Sequence, residues 1–371
     1  MKLQEFKLER FFARHEFSST YLLCSSDCES YTVEELLNMA GTAGLTSLLH
    51  MSLGYTEGPG CPELRKQISS LYEKPKERNI FVTSGAEEAI FLFMNAVLAP
   101  GDHVIVQYPC YQSLYELGRS IGCQMSKWEM QESNGWAPDL DDLRKNLRKN
   151  TRAVIVNLPH NPTGFLMPRD HWQTLVNMLQ ERNILLFSDE VYRWMEYDEA
   201  DRLPAACDLY DNAVSLGVMS KSFGLAGLRI GWIATLNHRI YQQLAAFKDY
   251  TSICNSAPSE FLSTIALQNK ELIIKRNRQI IVENLQITDD FFLRHPDHFA
   301  WVKPRAGSVA FPRMTAVPEA DSFCARLLTT QGVLLLPGSC YDYPHHFRIG
   351  LGRKNLPACI DKLEHYLRES L

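Results

Sequence analysis

From about residue 79 onward, the chain alternates short uninterrupted apolar runs with turns of small or polar residues and then with amphipathic stretches. "NIFVTSG" leads into "AEEAIFLFMNAVL", where Ala89, Ile90, Phe93, Ala96 and Val97 recur at helical spacing, so this segment reads as strand, tight turn, helix. "HVIVQ", "RAVIVNLP", "NILLFSDE" and "AVSLGVMS" follow as further apolar strands, each running into a polar turn. Runs that are apolar throughout predict strands buried on both faces, and helices between them predict a mainly parallel sheet. In such sheets ligands gather at the carboxyl ends of the strands.

The conspicuous polar residues stand where these runs stop: "TSGAEE" after the first, "YPCYQS" after the second, then "HNPTG", "SDEVYR" and "SKSFG". Five strand ends can share one crevice. Ser84, Gly85 and Ala86 sit where a strand turns into a helix, and free backbone N–H groups with the helix dipole make an anion site there. Arg229, eight positions after Lys221, adds a guanidinium, and Ser220 a hydroxyl; a phosphate suits that set.

Asp189 closes a strand and is costly to bury without a donor or cation. A protonated heteroaromatic nitrogen is one such partner; a helix N-cap or a surface ion pair is the plainer alternative. Tyr192 offers a phenol, Asn161 an amide and Tyr111 a flat ring to the same crevice. An amine near arginine and a phosphate site has reason to lose its proton, and a neutral lysine makes Schiff bases with aldehydes. Lys221 is therefore the candidate nucleophile.

Length and charge narrow the setting. The 371 residues exceed one typical hydrophobic core, which predicts a large domain of about residues 45–265 and a smaller α+β domain built from 1–44 and 266–371. "ELIIKRNRQIIVENLQITDDFF" reads as the linking helix, with small-domain strands in "VKPRAGSVAFPRM" and "GVLLLPGS". A net charge of -5 offers no basic field for nucleic acid, so small-molecule partners are expected. The start lacks the pattern of a secretory signal and the apolar stretches are too short for a bilayer; a cytoplasmic protein without membrane partners is the expectation. The 10 cysteines include no paired C-x-x-C units, which points to reduced thiols and no metal site, Cys24 and Cys28 being the nearest thing to a cluster. No G-x-G-x-x-G opens a helix after a strand, which argues against a nicotinamide-dependent dehydrogenase.

"NPTG", "DEVY" and "SKSFGLAGLRIGW", in this order, resemble the fold-type I pyridoxal-phosphate (PLP) enzymes, specifically the class I/II aminotransferases. "LGYTEGPGCPELR" and "FRIGLG" extend the resemblance along nearly the whole chain. It implies that Lys221 carries the cofactor covalently, that Asp189 holds the pyridine nitrogen, that Asn161 and Tyr192 flank the phenolic oxygen and that Tyr111 stacks on the ring. Gly85, Ala86, Ser220 and Arg229 would cradle the phosphate, and Arg348 with Asn161 would bind the substrate carboxylate. Tyr55 resembles the tyrosine that reaches the neighbouring subunit's cofactor, which implies a homodimer with shared sites. The implied activity is ping-pong transfer of an amino group from an L-α-amino acid to a 2-oxo acid. The same residues also serve lyases and cyclases acting by β/γ elimination or replacement.

Two departures fall at the phosphate: Val218 stands where many relatives have a hydroxyl residue, and Ala86 does so in some branches. The N-terminal "FSSTYLLCSSDCESYTVEELL" is loosely similar to the capreomycidine-synthase-like branch, whose activity is an amino-acid cyclisation. For the substrate side chain, Phe11 and Tyr250 are the aromatic candidates, while His345 and His346 fit loop surface as well as pocket.

Overall fold

The computed structural model describes residues 2–315 and 319–370. Its central sheet has seven strands, labelled in chain order β1 (Ile80–Thr83), β2 (His103–Tyr108), β3 (Gln124–Glu129), β4 (Thr151–Asn157), β5 (Leu185–Asp189), β6 (Ala213–Val218) and β7 (Gly231–Ala234). Their spatial order is β1-β7-β6-β5-β4-β2-β3. Only β7 runs against the rest, pairing antiparallel with both β1 and β6.

Alternate residues of the apolar runs enter different cores. Val104, Val106, Ala153, Ile155, Phe187, Val214 and Leu216 join one buried cluster, while their neighbours Ile105, Val154, Val156, Leu186 and Ala213 join another. Burial on both faces is thus why these strands lack polar alternation. Helices Gly85–Val97, Ser113–Ile121 and Arg169–Glu181 connect successive parallel strands.

Two strands escape the sequence reading. β3, "QMSKWE", lies at the sheet edge and buries only Trp128, so it has no apolar run. β7, "GWIA", is four residues long and begins on glycine. That glycine is forced by proximity: a Cβ on Gly231 would lie 2.6 Å from the carbonyl carbon of Gly85.

The 25-residue helix Lys270–Arg294 leads into the C-terminal elements. Val309–Ala310, Phe347–Gly350 and Leu336–Pro337 form a three-stranded antiparallel sheet there. The N-terminal strand Tyr21–Leu22 pairs parallel with Val333–Leu334, tying the arm to this part of the molecule. Among the described residues no helix is long and apolar enough to cross a membrane.

Candidate active site

The ends of β1, β2, β4, β5 and β6 open onto one cavity of about 420 Å³, walled also by the N-terminal helix Lys7–His15, the segment Ser25–Asp27 and Arg348. Ala86, Tyr111, Asn161, Asp189, Tyr192, Ser220, Lys221, Arg229 and Arg348, widely spaced in the chain, all line it.

Lys221 lies just beyond β6, and its Nζ donates to Ser26 Oγ at 2.8 Å. Burial lowers its pKa; Asp27 opposes this, Arg348 adds to it, and Glu9 and Asp189 oppose it again. Asp189, the last residue of β5, is 5% exposed. Burial pushes its carboxyl up to about 7, against the Val191 N–H that donates to it at 3.2 Å and the nearby Lys221. A carboxylate so placed gains most from a ligand that brings its own positive charge. Asn157 braces this strand end, donating to the Asp189 carbonyl at 2.9 Å while accepting from the Asn161 N–H at 2.7 Å.

Tyr192 is buried, and its hydroxyl finds no hydrogen-bond partner among the described residues. The Oδ1 of Asn161 is taken by Tyr341 Oη at 3.1 Å and Arg348 Nη1 at 3.3 Å, which leaves Nδ2 to donate to a ligand. Arg348 is 1% exposed; Tyr341 Oη at 2.7 Å and the Cys24 carbonyl at 2.9 Å hold its two terminal nitrogens, while Nε has no partner.

The helix Gly85–Val97 starts at the end of β1, and Gly85 has a φ of 81° that disfavours any residue with a side chain. A Cβ there would also collide with the Arg229 guanidinium, so the glycine lets that cation close onto the helix N-terminus. The result is a bare backbone cradle with a positive charge beside it, suited to a phosphate. Val218 and Ala86 offer this cradle no hydroxyl, and Ser220 lies on the same cavity wall.

An unpartnered buried phenol, a buried carboxylate lacking a cation, an amine of lowered pKa and an anion cradle together fit pyridoxal phosphate. The sequence profile described as "Aminotransferase class I and II" matches residues 22–361. The chain belongs to the class I and II aminotransferase family. As a member it is a PLP-dependent enzyme with the family's α/β fold. Capreomycidine synthase of Streptomyces vinaceus is 30% identical over 92% of this chain and 88% of its own length. Aspartate aminotransferase of Thermotoga maritima is 28% identical over 84% of this chain and 83% of its own. A PLP-dependent aminotransferase structure from Streptococcus suis superposes with a TM-score of 0.94 at 35% identity, covering 99% of this chain and 98% of the other.

Not every candidate residue faces this aminotransferase cavity. Tyr55 is 92% exposed and lies in a separate groove with Leu53 and Cys254. Tyr250 is 89% exposed, and Phe11 lines a different surface pocket, so neither reads the substrate within this chain; Phe12 lines the cavity in its place. His346 is buried, stacked 4.9 Å from Phe311, whereas His345 is exposed. Cys24 and Cys28 are buried thiols, each pushed up to about 12 by burial. Their loop nevertheless matters, because Ser26 and Asp27 lie between them on the cavity wall. Ser26, Asp27, Asn157, Tyr341, Glu9 and Glu16 carry no motif that marks them in the sequence. For Ser26 and Asp27 the local signal is the stretch "LLCSSDCES" itself, where they sit between the two cysteines.

Proposed function

We propose that the enzyme moves the amino group of an L-α-amino acid to a 2-oxo acid in two half-reactions at this one site. The observation that carries the reading is the convergence of Lys221, Asp189 and Arg348 on one cavity. Pyridoxal phosphate, when bound, supplies the carbonyl that takes the amino group and a ring that accepts the electron pair left by the α-proton. With the cofactor bound, Asp189 would keep a proton on the ring nitrogen, Asn161 and Tyr192 would donate to the phenolic oxygen, and Tyr111 would lie against the ring. The backbone of Gly85 and Ala86, with Ser220 and Arg229, holds the phosphate. Arg348, with Asn161 at its side, grips the substrate carboxylate and orients the Cα–H bond toward Lys221. Lys221 Nζ, its pKa lowered by burial, is the group placed to accept the α-proton and would donate it back at the carbon of the carbonyl that the cofactor supplies.

Supplied with an amino donor alone, the holoenzyme should release one equivalent of oxo acid per site, stop, and resume when a 2-oxo acid is added. Continuous release of ammonia, or a cyclic product made without any acceptor, overturns this reading. The second outcome would favour the cyclase alternative, which has support in the likeness to capreomycidine synthase and to a PLP-dependent cyclase structure with a TM-score of 0.92 at 27% identity, over 100% of this chain and 99% of the other.

The working unit in this reading is a homodimer with shared sites. Leu53 at 79%, Tyr55 at 92% and Tyr250 at 89% exposure leave apolar surface uncovered, and the Thr56 hydroxyl joins the two loops by donating to the Asn255 carbonyl at 2.9 Å. Sedimentation should give twice the chain mass, and Leu53→Asp with Tyr250→Asp should shift the protein toward monomer. A wild-type monomer that is fully active contradicts the dimer.

A further inference from the structure

The active-site cavity carries more negative charge than its assigned roles use. Glu9, Glu16, Asp27, Glu87 and Asp189 line it, against Lys221, Arg229 and Arg348. Three of the five are already engaged. Asp189 is assigned to the ring nitrogen, Asp27 pairs with Arg353 at 2.7 Å, and Glu87 accepts from Ser113. Glu9 and Glu16 are different: among the described residues neither forms an ion pair, and Glu9 accepts only from the neutral Tyr111 hydroxyl, at 2.8 Å.

These two carboxylates belong to one surface of the N-terminal arm. Glu9 and Phe12 are three residues apart on the helix Lys7–His15, Glu16 opens the 3-10 turn Glu16–Ser18 that follows it, and all three line the cavity. Phe12 also lies 5.8 Å from the Arg348 guanidinium carbon, so the arm's acidic face and the carboxylate clamp adjoin. Arg348, almost wholly buried with an unpartnered Nε, independently marks this wall as a place for an anionic ligand group. Burial raises the carboxyl pKa of Glu16, and Asp27 and Glu9 raise it further, while Arg353 and Lys221 oppose them; the site holds carboxylates that repel one another across it.

We propose that the substrate is an α-amino acid whose side chain ends in a cation, a guanidinium or an alkyl ammonium, received by Glu9 and Glu16 while Arg348 holds the carboxylate. The inference rests on the transamination reading above and names its substrate class. A neutral side chain leaves the two carboxylates uncompensated, and an acidic one adds a third negative charge beside them.

The test compares L-arginine with L-citrulline, which has nearly the same shape but no charge, and with L-glutamate. Each is titrated into the holoenzyme and into the Glu9→Gln/Glu16→Gln variant while the bound cofactor's absorbance is followed. Wild type should respond to arginine at a concentration roughly tenfold or more below that for citrulline. In the variant that ratio should fall toward one. Glutamine keeps the acceptor for Tyr111, and a merely structural effect would move both affinities together and leave the ratio intact. A ratio near one in wild type, a preference for glutamate, or an unchanged ratio in the variant overturns the proposal while leaving transamination standing. Absence of any spectral response to all three amino acids overturns this proposal, and the transamination reading is then decided by the donor-and-acceptor test above.

Discussion

Lys221→Ala should lower turnover by roughly 10⁴-fold, the upper part of what a positioned acid–base group contributes. It should also leave the cofactor held without a covalent bond. Borohydride reduction of the wild-type holoenzyme followed by peptide mass spectrometry is expected to place the cofactor mass on the Lys221 peptide, and the variant should carry no such label. Label on another lysine, or a variant with near-normal turnover, rules the assignment out. The reason is positional: Lys221 is the lysine among the cavity-lining residues, and its amine rests on the Ser26 hydroxyl with no carboxylate of the described residues within ion-pair distance. A lysine without an ion-pair partner in a buried site is one whose proton is readily lost.

Asp189→Asn has the second-largest expected effect. Removing the charge assigned here to the ring nitrogen should cost roughly three orders of magnitude in turnover, about 4 kcal/mol of transition-state stabilisation. The same substitution should act oppositely on the cofactor-free protein. The carboxyl is raised from 3.8 to about 7 in the fold, chiefly by burial. Folding then favours the protonated form, so its contribution is fully present below pH 4 and is lost as the pH rises through 7. Between pH 5 and pH 8 the cofactor-free wild type should lose stability that Asp189→Asn retains, on the order of 3 kcal/mol. Urea midpoints at the two pH values measure it; identical pH dependence in both proteins would contradict the buried-carboxylate account. Cofactor binding should remove the difference, because the ring nitrogen supplies the missing charge.

The strands that carry Asp189 and Lys221 were legible because burial on both faces leaves an unmistakable apolar run, and the polar residue at its end is then conspicuous. β3 was not, because an edge strand exposed to water along most of its length can be "QMSKWE" as readily as anything apolar. Residues named through the family motifs converge on the cavity, with Tyr55 outside it on the exposed surface. The acidic face of the arm was hidden for a different reason. Glu9, Phe12 and Glu16 show helical spacing, but nothing local in "FKLERFFARHEF" says that the face will meet Tyr111 and Arg348 rather than solvent. Such pairings join positions 102 or more apart in the chain, and no window of sequence contains them.

The arm's attachments also set an order of events during synthesis. Lys7 pairs with Asp342 at 2.6 Å, and the N-terminal strand waits for Val333–Leu334. The start of the arm can meet Tyr111, Gln112 and Glu116 once that part of the chain is made, but its strand Tyr21–Leu22 stays unpaired until Val333–Leu334 emerges, so the arm is only half anchored for most of translation. A ribosome that stalls before residue 333 thus leaves the strand Tyr21–Leu22 without its partner and the catalytic chamber without Arg348.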